Sequence, residues 1–401
     1  MIKTIAIVAA LMFASAVTAQ SYPEDTELRE LAWEAADAKK FDDSFKLYIR
    51  LADKGDPAGM YGLGVSYLNG EGVSKDINAA FRWMQKAADL EYITAITTLG
   101  LMHENGEGTA KNIEKANYYY NIAAQKGDAR AAYFLGVNND LGIGFPPDGR
   151  KAVSWYDAAA KQNHDGALHN LGVAYKDGLG VDKDQSKAIG FYTRAASLGY
   201  PPAEFELGYM HQYGEGVSEN SELAFFWYQR SANNGHPPAF NALGLAYLDG
   251  YGVTKDVQQA VQWLKKAAER DNSAGMANLG DLYLLGTGVP KDIKRGLELL
   301  NDAAAKDNTW SKMRLGTAYF DGVDLPTDYP KAIKWLDKAA ERGSGTAMLY
   351  LARAHRDGKG VSKDAGQAKL WYDKAVAAEN EDAAAELKAL IADNPQLKTG
   401  N

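Results

Sequence analysis

A motif returns every 36 residues along this chain, nine times, with nothing inserted or deleted between copies. Its marker is a Gly, typically behind a Leu: Gly64, Gly100, Gly136, Gly172, Gly208, Gly244, Gly280 and Gly316, with Ala352 in the last copy. A fixed period of this size identifies stacked supersecondary units, each too small to bury a core alone. The frames run 57–92, 93–128, 129–164, 165–200, 201–236, 237–272, 273–308, 309–344 and 345–380.

Within a frame the apolar residues fall twice into helical spacing. In the sixth copy Leu243, Gly244 and Tyr247 mark one stretch. Val257, Ala260, Trp263, Leu264, Ala267 and Ala268 mark the other. Six residues after each marker stands a second Gly (Gly70, Gly106, Gly142, Gly178, Gly214, Gly250, Gly286, Gly322, Gly358), placed to end the first helix at positive φ. Another Gly follows two residues later in eight copies, and Asp324 replaces it in the eighth copy. Twelve residues after the marker come Asp76, Asn112, Asp148, Asp184, Asn220, Asp256, Asp292, Asp328 and Asp364. Such residues cap a second helix, each cap worth about 1 kcal/mol. A column of Ala (Ala80, Ala116, Ala152, Ala188, Ala224, Ala260, Ala332, Ala368, with Gly296 in the seventh copy) predicts close helix approach. Trp83, Tyr119, Trp155, Phe191, Trp227, Trp263, Trp335 and Trp371 are read as the large rings packed between the helices.

The consensus, carried in one copy by Ala239, Leu243-Gly244, Tyr247, Gly250, Gly252-Val253, Asp256, Ala260, Trp263 and Ala267-Ala268, resembles the Sel1-like repeat, a relative of the tetratricopeptide repeat. The resemblance implies an all-α fold, a right-handed α-α superhelix of nine repeats whose first helices line a concave groove. It also implies a role as an adaptor, often in bacterial envelope assembly or signalling. Two copies depart from the pattern. Val137-Asn138-Asn139 replaces an apolar-Tyr step, which predicts a looser last helical turn, and Val323-Asp324-Leu325-Pro326 predicts an altered loop.

The expected organisation has four parts. Residues 1–19 read as a signal peptide, from Lys3, the apolar stretch Ile5 to Val17 and the small residues before Gln20. Residues 20–56 form a degenerate N-terminal unit, with Leu28, Leu31 and Ala35 on one helix and Phe45, Tyr48, Ile49 and Ala52 on another. Residues 57–380 are the repeats. Residues 381–401 are a capping helix, with Leu387, Leu390 and Ile391 inward, and a disordered tail. The leader implies a periplasmic or secreted protein, without stable membrane insertion once the leader is removed after Ala19.

The chain has no Cys, so its stability rests on the core that stacked repeats bury. A cysteine-rich branch of the Sel1-like family is linked to β-lactam binding or hydrolysis, and this chain lacks its cysteines. Formal net charge is −8 with no basic run, which argues against nucleic acid. The six His show no metal-ligand spacing: His103, His211 and His355 replace Tyr67, Tyr175 or Tyr247, and His164 and His236 share a turn position. The Gly-x-Gly steps follow helices instead of strands and read as punctuation, not as a nucleotide loop. Gly343-Ser344-Gly345 has no strand before it and is no nucleophile elbow. No catalytic residue, metal site or cofactor is expected.

Two first-helix columns vary while the packing columns do not. Three residues before the marker stand Tyr61, Thr97, Tyr133, His169, Phe205, Asn241, Ala277, Met313 and Leu349. One residue after it stand Val65, Leu101, Val137, Val173, Tyr209, Leu245, Asp281, Thr317 and Arg353. By tetratricopeptide geometry these face the groove. Tyr133, His169, Phe205, Tyr209 and Gln212 are the candidate contacts for an extended peptide or a helix. The competing reading is that these rings pack against neighbouring helices. The expected function is an exported, non-enzymatic protein-interaction scaffold. A glycan or cell-wall binder is the alternative, and a β-lactam-binding hydrolase a more distant one. The sequence is silent on the partner's identity and on oligomeric state.

Overall fold

The computed structural model describes residues 26–322 and 325–398. Among them are 21 α-helices and no strand, so the fold is all-α. The leader read from residues 1–19, the Val323-Asp324 step and the last residues, 399–401, lie outside the described residues. The chain divides into two compact units at Leu198–Gly199. The first unit holds the helices from Thr26–Asp37 to Gln185–Ser197, and the second those from Pro201–Tyr213 to Ala383–Asp393. Within each unit, every helix packs on the one before and the one after it.

The hairpin is built by the residues that punctuate it. In the sixth repeat the first helix is Pro237–Asp249 and the second Val257–Glu269. Gly250 ends the first in the left-handed region, and the nine Gly of this column have φ between 66° and 79°. The Asp256 carboxylate then accepts from the Gln258 and Gln259 N–H groups at 2.9 and 3.0 Å. All nine residues of the capping column accept a first-turn N–H in this way. The backbone N–H of each capping residue also donates to the residue three beyond the marker, as Asp256 does to Tyr247 O at 2.9 Å. The intervening loop is therefore closed at both ends by hydrogen bonds. The second Gly of the turn docks onto the preceding repeat: a Cβ on Gly252 would lie 2.0 Å from Ser221 O, and one on Gly108 2.6 Å from Ile77 O.

The marker glycine has a steric cause. A Cβ on Gly208 would meet the Tyr228 ring at 2.6 Å, one on Gly64 Met84 at 2.7 Å, and one on Gly316 Leu336 at 2.7 Å. In the first eight repeats the intruding side chain includes the residue twenty positions on, and that column is buried throughout: Met84, Tyr120, Tyr156, Tyr192, Tyr228, Leu264, Leu300, Leu336 and Tyr372. This corrects the expectation for the preceding column. The rings from Trp83 to Trp371 are only half-buried, and several carry their own cation. Lys86 Nζ lies 4.0 Å from the Trp83 ring centroid, Lys266 4.0 Å from Trp263 and Lys374 4.1 Å from Trp371.

The buried column obeys a second rule. Where it is Tyr, the residue four past the marker is polar (Glu104, Asp140, Lys176, Gln212, Arg356); where it is Met or Leu, that residue is apolar (Leu68, Leu248, Leu284, Phe320). Buried phenols need a partner and buried methyls do not. Tyr120 Oη donates to Glu104 at 2.7 Å and Tyr228 Oη to Gln212 Oε1 at 2.6 Å, while Arg356 donates to Tyr372 Oη at 3.1 Å. Tyr156 Oη reaches Asp140 at 3.5 Å.

Other sequence readings change in detail. The first helix of the third repeat, Ala129–Leu141, keeps the standard 13 residues and its left-handed Gly142 cap, so its last turn is not loosened. Asn138, fully buried, donates to Asn117 Oδ1 at 2.7 Å, Asn117 donates to Ile143 O at 3.0 Å, and Asn139 donates back to Leu135 O at 2.8 Å. In the N-terminal unit Ala32 is buried and Leu31 exposed, while Tyr48 and Leu51 enter the core and Ile49 does not. The helix Phe41–Asp53 sits 36 residues before Ile77–Asp89, with Lys40 at the capping position and no side-chain cap. The helix Ala383–Asp393 likewise continues the register. Ala383 and Leu390 fall in buried columns and Leu387 in the Leu column, but Lys388 stands at the marker. Leu397, in the 3-10 turn Pro395–Lys398 that follows, packs on the same cluster.

Two stability outcomes follow. Leu264→Ala costs about 2–5 kcal/mol, and Trp263→Ala costs less because its ring is only half-buried; chemical denaturation of both variants checks the order. Glu104→Leu leaves the Tyr120 hydroxyl buried without an acceptor and costs about 1–3 kcal/mol. Glu104→Leu/Tyr120→Leu, which copies the pairing of repeats six to eight, loses less than the two single losses added together. An additive double mutant contradicts the pairing rule.

Candidate functional site

The five candidate residues divide between the two units. In the first, the Tyr133 ring stacks on His164 with centroids 4.5 Å apart, and also lies 5.8 Å from Phe134 and 6.2 Å from Tyr156. Burial raises the Tyr133 phenol above its ordinary pKa. His164 Nδ1 accepts the Ala167 N–H at 3.3 Å and so caps the helix Asp165–Asp177, while desolvation lowers the imidazole pKa. His169 is half-buried, its Nδ1 3.1 Å from Asn170 Oδ1 and its ring 5.7 Å from Tyr192. Tyr133 and His169 thus lie on adjacent first helices and make extensive contacts with their own unit.

In the second unit Phe205, Tyr209 and Gln212 share the helix Pro201–Tyr213. Phe205 packs on Tyr228 at 5.4 Å and His236 at 5.5 Å. Gln212 accepts from Tyr228 Oη and donates from Nε2 to Tyr213 Oη at 3.3 Å, and its carbonyl accepts from Tyr251 Oη at 3.0 Å. Tyr209 lies 4.5 Å from Tyr213 with the rings inclined at 47°. The structure adds two residues that sequence reasoning missed. Tyr213, 59% exposed, lies one turn beyond Tyr209; Tyr251 reaches over from the next repeat's turn. The i, i+4 spacing of Tyr209 and Tyr213 was a visible signal for the first. Nothing in the spacing marks the second.

The two first-helix columns are not uniformly open. Thr97, Ala277 and Leu349 are buried in one, and Leu101 and Thr317 in the other, whereas Leu245 is exposed. Polar members bond from repeat to repeat in the second unit: Asn278 donates to Asn241 Oδ1 at 2.8 Å, and Arg314 pairs with Asp281 at 2.7 Å. At its end Glu386 takes hydrogen bonds from Arg353, Arg356 and Tyr372.

The remaining polar groups are occupied structurally. His103 is buried between Phe81 and Tyr119, and burial lowers its pKa. An open depression beside the fourth repeat's turn is lined by Arg150, Tyr175, Lys183 and Lys187, but Asp184 already caps the helix there and holds Lys187 at 3.4 Å. Among the described residues no three His, Asp or Glu side chains gather at metal-binding range, and no helix is long and apolar enough to cross a membrane.

Comparison with known proteins agrees with this geometry. The chain is similar in structure to a protective antigen of uropathogenic Escherichia coli with an SLR fold, at 31% identity over 86% of this chain and 81% of that one, with a TM-score of 0.52. It is also similar to a Sel1 repeat protein from Oxalobacter formigenes, at 29% identity over 77% of this chain and 89% of that one, with a TM-score of 0.55. No match is found among curated proteins. Sel1 repeat proteins are in general protein-interaction scaffolds. The family model described as Sel1 repeat matches nine times, at 57–92, 95–128, 129–164, 166–200, 201–236, 237–272, 273–308, 311–344 and 345–380. With its repeats spanning most of its length, the chain belongs to the Sel1 repeat family.

Proposed function

We propose that this protein is a non-enzymatic scaffold that holds a protein partner along its first helices, with Phe205, Tyr209 and Gln212 of the second unit at the contact. The observation that carries the reading is the Tyr209–Tyr213 pair, which presents partly open ring surface on the helix Pro201–Tyr213. Rigid aromatic area of this kind favours interface hot spots. Tyr133 and His169 are candidate contacts of the first unit, with more of their surface already covered by their own neighbours. The leader read from residues 1–19 places the scaffold in the periplasm or outside the cell, in envelope signalling or assembly. A glycan-binding role is the second reading, because open tyrosine rings also stack on sugars.

Tyr209→Ala is the informative substitution, since Phe205→Ala also strips packing from Tyr228 and His236. In whole cells, crosslinking from the exposed Tyr213 position captures a protein, and Tyr209→Ala reduces that capture while the helical melt of the purified chain stays in place. Undiminished capture, or retention of the variant-sensitive activity on purified cell wall instead of protein, contradicts the scaffold reading. Mass spectrometry of the mature protein finds an N-terminus at Gln20; a retained Met1 contradicts the exported location.

A further inference from the structure

His103 stands three past the marker of repeat two, in the last turn of the helix Ile93–Asn105. Tyr67, Tyr175, Tyr247, Tyr283 and Tyr319 hold the same column in other repeats, so an imidazole here is a departure from the common solution. The residue closes the turn that follows it. Its carbonyl accepts the Asn112 backbone N–H at 2.7 Å, and its ring hydrogen-bonds the backbone of Ala110 within the turn. The same turn carries Gly108, seated so closely on repeat one that a Cβ would lie 2.6 Å from Ile77 O. His103 thus holds the turn through which the first two repeats meet.

The ring is 4% exposed. It lies edge-on to Phe81 of the helix Ile77–Asp89 and stacks on Tyr119 of the helix Ile113–Gln125, both at 5.5 Å. Nδ1 is buried and has no hydrogen-bond partner. A neutral imidazole tolerates this, because that nitrogen only forgoes a bond it would accept. In the imidazolium both nitrogens donate, and the charged Nδ1–H would be buried unpaired. Beside it on its own helix, Glu104 is engaged by Tyr120 Oη at 2.7 Å. From the second helix Lys115 sets a positive charge against the ring. A lysine in that column suits a phenol: Lys187 lies over Tyr175 at 5.0 Å and Lys331 over Tyr319 at 5.3 Å. The helix C-terminus and the Ala110 backbone favour a cation, but burial first and then Lys115 hold the imidazole below its ordinary value of 6.5. His211 and His355 share the buried, unpartnered Nδ1, yet His355 has the Asp337 carboxylate acting on it where His103 has a lysine.

We infer that His103 makes the junction of repeats one and two an acid-sensitive joint: neutral, it locks the turn 106–112 onto repeat one, and protonated, it releases that turn. The released form takes up the extra proton. Closure is therefore complete above the ordinary imidazole value and is lost as pH falls below it, by about tenfold per pH unit for one proton until the closed form itself titrates. The joint goes beyond the scaffold reading and holds whichever partner the protein carries.

Hydrogen exchange on the full chain tests this, with protection of residues 106–112 measured against the intrinsic amide rate at pH 7 and pH 5. Protection is expected to fall about tenfold relative to the turn 178–184 of repeat four, where Tyr175 holds the column. This comparison lies within one molecule and needs no variant. In His103→Tyr, which copies the other repeats, the fall with pH disappears while protection at pH 7 stays within about threefold. Unchanged protection at pH 5, an equal fall in the turns of repeats two and four, or an undiminished fall in His103→Tyr overturns the inference.

Discussion

One close approach governs this molecule: a side chain from each second helix lies against the backbone of the first helix, at a position where a Cβ would intrude. At 2.4–2.7 Å from Tyr156, Leu264 or Leu336, a methyl on the marker glycine forces the opposing buried side chain or its helix to shift. The spacing between the two helices is therefore set by contact with backbone, and the residue twenty positions on must be the one that fills it. Ala352 in the last copy shows the limit of tolerance, with Tyr372 buried beside it. The helix Ala383–Asp393 uses Ala383, Leu387 and Leu390 to cover repeat nine.

The constancy of the period follows from two further contacts acting at once. The loop between helices is tied internally, by a left-handed Gly at one end and by a capping residue, bonded through both side chain and backbone, at the other. It is also tied externally, because the second Gly of the turn sits on the opening carbonyls of the preceding repeat's second helix. A residue added to the loop would break the first tie or lift the second. Repeat arrays in general tolerate insertions in loops that face only solvent; these loops are part of the stacking interface within each unit.

Much of this was legible in the sequence, because it is enforced by residues with few substitutes. Gly at positive φ, Asp or Asn at a helix start and Ala between helices have local physical meanings that do not depend on context. What could not be read was which of two adjacent large residues points inward. Trp263 and Leu264 differ by 100° around the helix, and both are apolar enough for a core. The decisive clue was coupling: the inner column alternates between Tyr and aliphatic residues in step with the polarity of the position four beyond the marker, whereas the Trp column does not. Asn138 misled for a related reason. An Asn in an apolar slot predicts a defect only when its amide is left unsupported, and the partner, Asn117, lies in a neighbouring repeat where local reasoning does not look. The candidate site was legible to the level of its helix. Tyr209 and Gln212 are indeed neighbours, but Gln212 is largely occupied by Tyr228, and the more open ring, Tyr213, lay one turn further along.

The nine repeats act as an internal reference for function, since they solve the same packing problem and differ where packing leaves freedom. By that standard most deviations are absorbed structurally: Asn138 of repeat three donates to Asn117 of repeat two, Lys312 in repeat eight pairs with Asp307, and Arg353 is held by Glu386. Glu204 belongs with them, buried against Arg230 and Asn234. Repeat five differs in kind. It exposes Tyr213 together with Leu223 and Phe226, at positions where the other repeats carry mainly polar or charged groups. Apolar surface exposed at these positions does nothing for the hairpin, which every other repeat builds without the combination. A feature that the packing neither requires nor absorbs is where a repeat protein's specificity has room to reside, and in this chain the combination falls on one repeat of nine.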